Sequence, residues 1–267
     1  MNKEKILVLL PAFNESGSIK KTVTEILRLD LGVDVVVIDD GSTDDTAKQA
    51  RLAGVPVIQL PFNLGIGGAV QTGFLYAVQR HYDLAAQVDG DGQHDAGYLK
   101  KILQPVLDGQ ADIVVGSRFV TEDAMSEGLP AGFVAGMPRP SGRGAGSIGS
   151  RGSWRSSAVR RVGIHFFAWL ISGLTGYQVT DPTSGFRAFS REAILAFAEE
   201  YPQDFPEPES IMTARRLGFR LIEVPVEMRK RSHGHSSIRY LKTLYYMIKV
   251  TLAILLDMLK KRKAVTI

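Results

Sequence analysis

Five short, largely apolar runs constrain this chain more than any other feature, because each stops at a cluster of polar or glycine residues. Ile6 to Leu10, Val33 to Ile38, Val55 to Leu60, Leu84 to Val88 and Ile113 to Val115 read as strands covered on both faces. Ser18 to Leu29, Thr43 to Ala53, Gly67 to Gln79 and Tyr98 to Leu107 have helical spacing. Strand and helix alternate, which predicts an α/β chain with an open, doubly wound, mostly parallel sheet and helices on both faces. Ligands of such sheets collect beyond the carboxyl ends of the strands. Four of those ends carry a polar motif: "PAFNE", "DDGSTDDT", "NLGIGGA" and "DGDGQHD". Topology thus predicts an assembled site before its chemistry is known.

The fourth motif is the most acidic. Asp89 and Asp91 lie two apart and point the same way in extended chain, while Gly90 and Gly92 permit a close turn. Their oxygens suit a hard divalent cation such as Mg²⁺ or Mn²⁺ that shares its coordination with phosphates, and Gln93 offers a neutral oxygen. An acidic turn closing a strand is the competing reading. His94 and Asp95 are expected to be turn and helix-start residues. Asp39 and Asp40 end the second run, where a base or ribose could be hydrogen-bonded. Ser42 or Thr43 is expected to cap the following helix, with Asp44 and Asp45 in its first turn. Phe13 offers an apolar wall and Glu15 an acceptor. "NLGIGGA" lacks the lysine of a P-loop, which disfavours that class of NTPase.

Residues 122–157 are rich in Gly, Ser, Pro and Arg and have little periodicity, as expected of a flexible insert. Beyond it, a helix is predicted over Val159 to Leu174, a turn and short strand at "DPTSGFRAFS", and a helix after "FPEP". Arg220 to Met228 alternates as a strand, and Pro225 places it at a sheet edge. Leu244 to Leu259 is apolar on nearly all sides but is interrupted by Lys249 and Asp257. Its length falls short of a bilayer, and the flanking Tyr245, Tyr246 and "KKRK" suit a helix lying in a membrane interface. Docking on the protein or on a partner subunit is the alternative. The first apolar run is too short for a secretion signal, so no export is expected.

Cysteine is absent, so thiolate metal sites and cysteine nucleophiles are excluded. Arg139 to Arg161 holds six arginines and no acid, a bias toward phosphates, anionic lipid or nucleic acid. Stacking aromatics are nearly missing there, Trp154 excepted, which argues against a nucleic-acid partner.

The ordered set "LPAFNE", "VVVIDDGSTDDT", "NLGIGGA", "VDGDGQHD", "GSRF", "DPTSGFRAF" and "EVPVEMRKRSHGHSSI" resembles the family 2 glycosyltransferases, and most closely the branch similar to dolichol-phosphate mannosyltransferase. The resemblance implies a GT-A fold, placed over residues 1–237, and the apolar segment with its basic tail is expected to form a C-terminal membrane-interface helix over 238–267. It also implies a nucleotide-sugar donor, a Mg²⁺ or Mn²⁺ ion and inverting transfer. Pro11, Phe13, Glu15, Asp39, Asp40 and Asp89 would surround the donor, and Asp89, Asp91 and Gln93 the metal. With a polyprenyl phosphate as acceptor, its oxygen is already anionic and needs no base. Arg118, Arg187, Arg229, Arg231 and Ser236 are then candidates to hold phosphate. Transfer to a glycan hydroxyl would need a base, for which Asp181 is the candidate, with an Asp-Pro turn as its plain alternative. A basic lid at "RKRSHGHSSI", the cytoplasmic face of the cell membrane as location, and a homo-oligomer or small membrane-protein partner complete the expectations. A non-catalytic membrane scaffold is the rival from another class.

Overall fold

A computed structural model describes residues 4–120, 158–229 and 249–252. Seven strands, β1 (Ile6–Ala12), β2 (Asp34–Asp39), β3 (Val57–Gln59), β4 (Leu84–Gln87), β5 (Ile113–Ser117), β6 (Arg187–Ser190) and β7 (Leu221–Pro225), form one sheet in the order β3-β2-β1-β4-β6-β5-β7. The helices are α1 (Ile19–Leu27), α2 (Thr46–Leu52), α3 (Gly65–Gln79), α4 (Leu99–Leu107), α5 (Ala158–Thr175), α6 (Arg191–Glu199) and α7 (Pro206–Leu217). Pairing is parallel except around β6, which runs antiparallel between β4 and β5. The expected mostly parallel sheet is therefore present, and β7 with its Pro225 lies at an edge.

Alternation along the strands builds two cores. Leu7 and Leu9 of β1 face one side with Val36 and Ile38, where Val70 and Phe74 of α3 and Phe197 of α6 cover them. Val8 and Leu10 face the other side with Val35 and Val37, under Ile19, Val23 and Ile26 of α1 and Leu99 and Ile102 of α4. Phe74 anchors the first core, with its ring 4.9 Å from Phe189 and 5.4 Å from Tyr201. Burial on both faces explains why the strands read as near-continuous apolar runs.

The chain leaves β1 toward β2 and β3, then returns to place β4 on the other side of β1. That reversal opens a crevice at the carboxyl ends of β1 and β4. Backbone bonds stitch its rims together: Asp40 N–H donates to Ala12 O (2.9 Å), Val88 N–H to Leu9 O (3.1 Å) and Gly90 N–H to Pro11 O (3.2 Å). Three of the sequence motifs thus meet through main chain alone.

Two local expectations are corrected. Helix α2 starts at Thr46, and Ser42 and Thr43 do not cap it. Ser42 Oγ instead accepts Asn14 N–H, and Asn14 Oδ1 accepts Thr43 N–H, both at 2.9 Å, so this turn is tied to the β1 motif. Asp44 caps α2 by accepting from Thr46 N–H (2.9 Å). The insert of 122–157 lies outside the described residues, apart from the chain resuming at 158, as do the basic lid beyond Arg229, Arg231 and Ser236. Of the C-terminal helix, residues 249–252 are described; they are helical, and Val250 is buried in the first core. Among the described residues no helix is long and apolar enough to cross a membrane.

Candidate active site

Asp39 ends β2 with its carboxylate almost wholly enclosed. Oδ1 accepts Ser42 N–H (3.1 Å) and Oδ2 accepts the Gln59 side-chain amide (3.1 Å), which fixes the group at the rim. Phe13 stands beside the same crevice nearly half exposed, at 45%. Glu15 accepts the Ser18 hydroxyl (2.9 Å), while its backbone N–H donates to Thr46 Oγ1 (2.8 Å). Asp40 behaves differently from its neighbour. Its two oxygens accept Leu64 N–H (2.7 Å) and Gly65 N–H (2.9 Å), which caps the start of α3. Burial pushes this carboxyl up against the pull of those two bonds, and the Asp39 charge adds to the rise. Both Asp40 oxygens are thus committed to orphan helix donors.

After β4 the chain turns at Gly92, whose φ of +75° favours glycine. Asp91 is buried, and Oδ1 accepts Gln93 N–H (2.9 Å). Asp89 is more open; Gln87 donates its amide to Oδ1 at 3.2 Å. A Cβ on Gly185 would lie 2.9 Å from both Asp89 oxygens, so the turn before β6 leaves this carboxylate a cradle that only glycine provides. His94 is the residue the sequence reading undervalued. It is buried, stacks on Phe186 at 4.9 Å, accepts Asp89 N–H on Nδ1 (3.1 Å) and turns Nε2 toward Asp89 Oδ2 (3.5 Å). A tautomer with the proton on Nε2 satisfies both contacts. Asp95 does start a helix, accepting Gly97 N–H at 2.9 Å.

The donor set fits a hard divalent cation. Two carboxylates and an amide oxygen, all hard donors, belong to the one turn after β4.

On the β5 side, Arg118 follows the strand and is gripped by Asp181. Nε donates to Oδ2 and Nη2 to Oδ1, each at 2.6 Å, and Nη2 also reaches Thr183 Oγ1 (2.7 Å). Asp181 is wholly buried, and both its oxygens accept from Arg118 and anchor that guanidinium. Below it, Glu223 of β7 accepts both Thr180 N–H and Asp181 N–H (2.9 Å each). Arg187 is buried too, donating to Ser184 O (2.7 Å), Ser210 Oγ (2.6 Å) and Glu207 O (2.8 Å). These bonds brace β6 against α7. Arg229 Nη1 donates to Glu25 (2.5 Å), Nη2 to Asp95 (2.9 Å), and its backbone N–H to Gln93 O (2.8 Å). These bonds fasten the chain after β7 to α1 and to the acidic turn. Glu207, at the start of α7, has its carboxyl raised by burial; Arg187 opposes the shift and the Asp89 charge adds to it. No short-range pattern pointed to Glu207, Gly185 or His94. For Glu223 a signal existed, an acid inside the apolar "LIEVPV".

Residues 7–196 match the family described as Glycosyl transferase family 2. An uncharacterised protein of Methanocaldococcus jannaschii is 32% identical over 93% of this chain and 93% of its own. The undecaprenyl-phosphate mannosyltransferase of Micrococcus luteus is 28% identical over 88% of this chain and 87% of its own. The UDP-N-acetylglucosamine–dolichyl-phosphate N-acetylglucosaminyltransferase of Methanococcus voltae is 27% identical, covering 85% and 86%. In fold, the chain is similar to glucosyl-3-phosphoglycerate synthase of Mycobacterium tuberculosis, solved with Mn²⁺, uridine diphosphate and glucosyl-3-phosphoglycerate. The TM-score is 0.61 at 21% identity, over 95% of this chain and 80% of that one.

Proposed function

The chain belongs to glycosyl transferase family 2 and is a nucleotide-sugar glycosyltransferase of GT-A fold, and from that premise we propose that it transfers a sugar to a polyprenyl phosphate. The observation that carries this reading is the state of Asp181. A hydroxyl acceptor needs a base, whereas a lipid phosphate arrives with an anionic oxygen. The rim carries instead a cation, Arg118, with Asp181 locked to it. The relatives named for undecaprenyl and dolichyl phosphate align over most of both chains and support the same choice.

Asp39 and Phe13 would hold the nucleoside, and Asp89, Asp91 and Gln93 a Mg²⁺ or Mn²⁺ ion. When bound, the ion would offset negative charge on the departing nucleoside diphosphate. His94 and Gln87 hold Asp89 in place, and Gly185 keeps space beside it. Arg118 would steady the acceptor phosphate so that its oxygen attacks the anomeric carbon from the face opposite the diphosphate, inverting it. The enzyme would work at the membrane surface that holds its acceptor, on the cytoplasmic face where nucleotide sugars are used.

The test is incubation with radiolabelled nucleotide sugars, Mg²⁺ or Mn²⁺ and undecaprenyl phosphate, followed by lipid extraction. Label should enter the organic phase and vanish in Asp91→Ala. Transfer only to soluble glycan would overturn the reading.

A further inference from the structure

Beneath Arg118 lies a carboxyl for which the transfer itself has no use. Glu223 sits on edge strand β7, paired with Val115 of β5, and reaches the turn that precedes β6. Oε1 accepts Asp181 N–H and Thr180 N–H, each at 2.9 Å; Thr180 N–H is shared with Oε2, also at 2.9 Å. Oε2 meets the Thr180 hydroxyl at 2.5 Å, and that hydroxyl lies 2.6 Å from Ser117 Oγ, the residue before Arg118. Ser117 Oγ in turn accepts Phe119 N–H and Val120 N–H (3.1 and 3.3 Å).

We propose that Glu223 is a positioning residue that sets both the place and the net charge of the Arg118 subsite, and that the subsite accepts an anionic acceptor when Glu223 carries a proton. The geometry admits both forms. Oε1 faces two backbone donors and must accept, whereas Oε2 shares the Thr180 N–H with Oε1 and also faces the Thr180 hydroxyl, which can donate or accept. A proton on Oε2 would donate to Thr180 Oγ1 and leave the Thr180 N–H to Oε1. Charge decides between the forms. Arg118 and Asp181 cancel, so an ionised Glu223 leaves the cluster at minus one, opposing an incoming phosphate; a protonated one leaves it neutral. Asp181 is the charged group acting directly on Glu223, with Arg118 across it. Burial pushes the Glu223 carboxyl up to about 7, against the hydrogen bonds from Thr180 and Asp181 and with the Asp181 charge adding to the rise. Both states are therefore populated near neutral pH.

The inference rests on the reading that Arg118 faces the acceptor phosphate, and the test separates the two. Using the full chain with saturating nucleotide sugar and Mn²⁺, KM and kcat for undecaprenyl phosphate in detergent micelles are measured from pH 6 to 8.5. Glu223→Gln preserves the Oε1 acceptor and mimics the protonated form. KM of the wild type should rise relative to Glu223→Gln by about three- to tenfold over this range, the effect of one partly screened charge, while kcat of the two stays parallel. Because the ratio is taken at each pH, titration of the lipid phosphate cancels. A constant ratio overturns the inference. If Glu223→Gln does not fold, Thr180→Val removes a hydroxyl that favours the carboxylate and should move the midpoint of the wild-type KM profile upward; an unmoved midpoint also overturns it. Arg118→Ala tells the failures apart. Unchanged KM at pH 6 in that variant refutes the placement of Arg118, whereas raised KM with a constant Glu223→Gln ratio refutes the role of Glu223 alone.

Discussion

On the β1–β4 side of the sheet, Asp39, Asp89 and Asp91 follow directly from the strands that present them, and each is held mainly by residues close in sequence. Gln93 N–H reaches Asp91 from two positions away and His94 reaches Asp89 from five. On the β5–β7 side, Arg118 is held by Asp181, 63 positions later, and Asp181 by Glu223, another 42 away. The first region gathers carboxylates, and the second a cation whose charge is already offset. On the proposed reading, a diphosphate would be served by local turns, while the acceptor side would depend on distant segments meeting. Damage to the first should remove chemistry, and damage to the second should first disturb assembly or acceptor affinity.

Asp91→Ala is the strongest test of that division. It should lower lipid-phase label by a factor of at least about 10² while circular dichroism and thermal midpoint stay near wild type. Gly185→Ala crosses the divide, since it sits before β6 but its new methyl would press on Asp89. We expect Mn²⁺-dependent binding of nucleoside diphosphate, measured by calorimetry, to weaken about tenfold, with a stability loss of about 1–3 kcal/mol. Normal binding in that variant would mean Asp89 has room that the structure does not give it. Arg187→Met should remove the guanidinium that donates to Ser184 O and Ser210 Oγ and cost about 2–4 kcal/mol in urea unfolding. Full stability with raised acceptor KM would return Arg187 to the acceptor site.

Asp40→Ala should cost about 1 kcal/mol through loss of the α3 cap and leave nucleotide affinity unchanged. Asp39→Ala, one residue away, should weaken nucleotide affinity and also cost about 1 kcal/mol, since Ser42 N–H and the Gln59 amide lose their acceptor. The last effect is on pH-dependent stability. With its folded pKa raised to about 7 by burial above all, Glu223 binds more protons folded than unfolded between about pH 4.5 and 7. Its contribution is full below the unfolded value and is lost as pH rises through the folded one. Chemical denaturation across that window should show a decline that Glu223→Gln abolishes.

The strand order along the chain, the crevice and the acidic turn were legible because they depend on periodicity and on residues adjacent in sequence. The antiparallel placement of β6 was not, since "RAFS" is short and its neighbours β4 and β5 come from elsewhere in the chain. Among the candidate residues, arginines were the least readable. A guanidinium in a conserved-looking motif suggests phosphate, yet the choice between a ligand and an internal carbonyl is made by burial, which turned Arg187 inward. Arg229 was claimed by Glu25 of α1, far upstream. His94 was misjudged for a similar reason: its partner Asp89 is near, but the ring is buried by Phe186, which no local pattern reveals.

The strand order also sets a timetable for synthesis. Strands β1 to β4 can pair with one another once residue 87 has left the ribosome, a compact set of local contacts. Strand β5 emerges soon afterwards yet finds neither neighbour until residues 187–190 and 221–225 follow. For roughly a hundred residues of elongation, at about 5–20 residues per second, its apolar edges wait unpaired. The nascent chain is therefore most exposed to chaperones and to misassociation at the strand that carries Arg118.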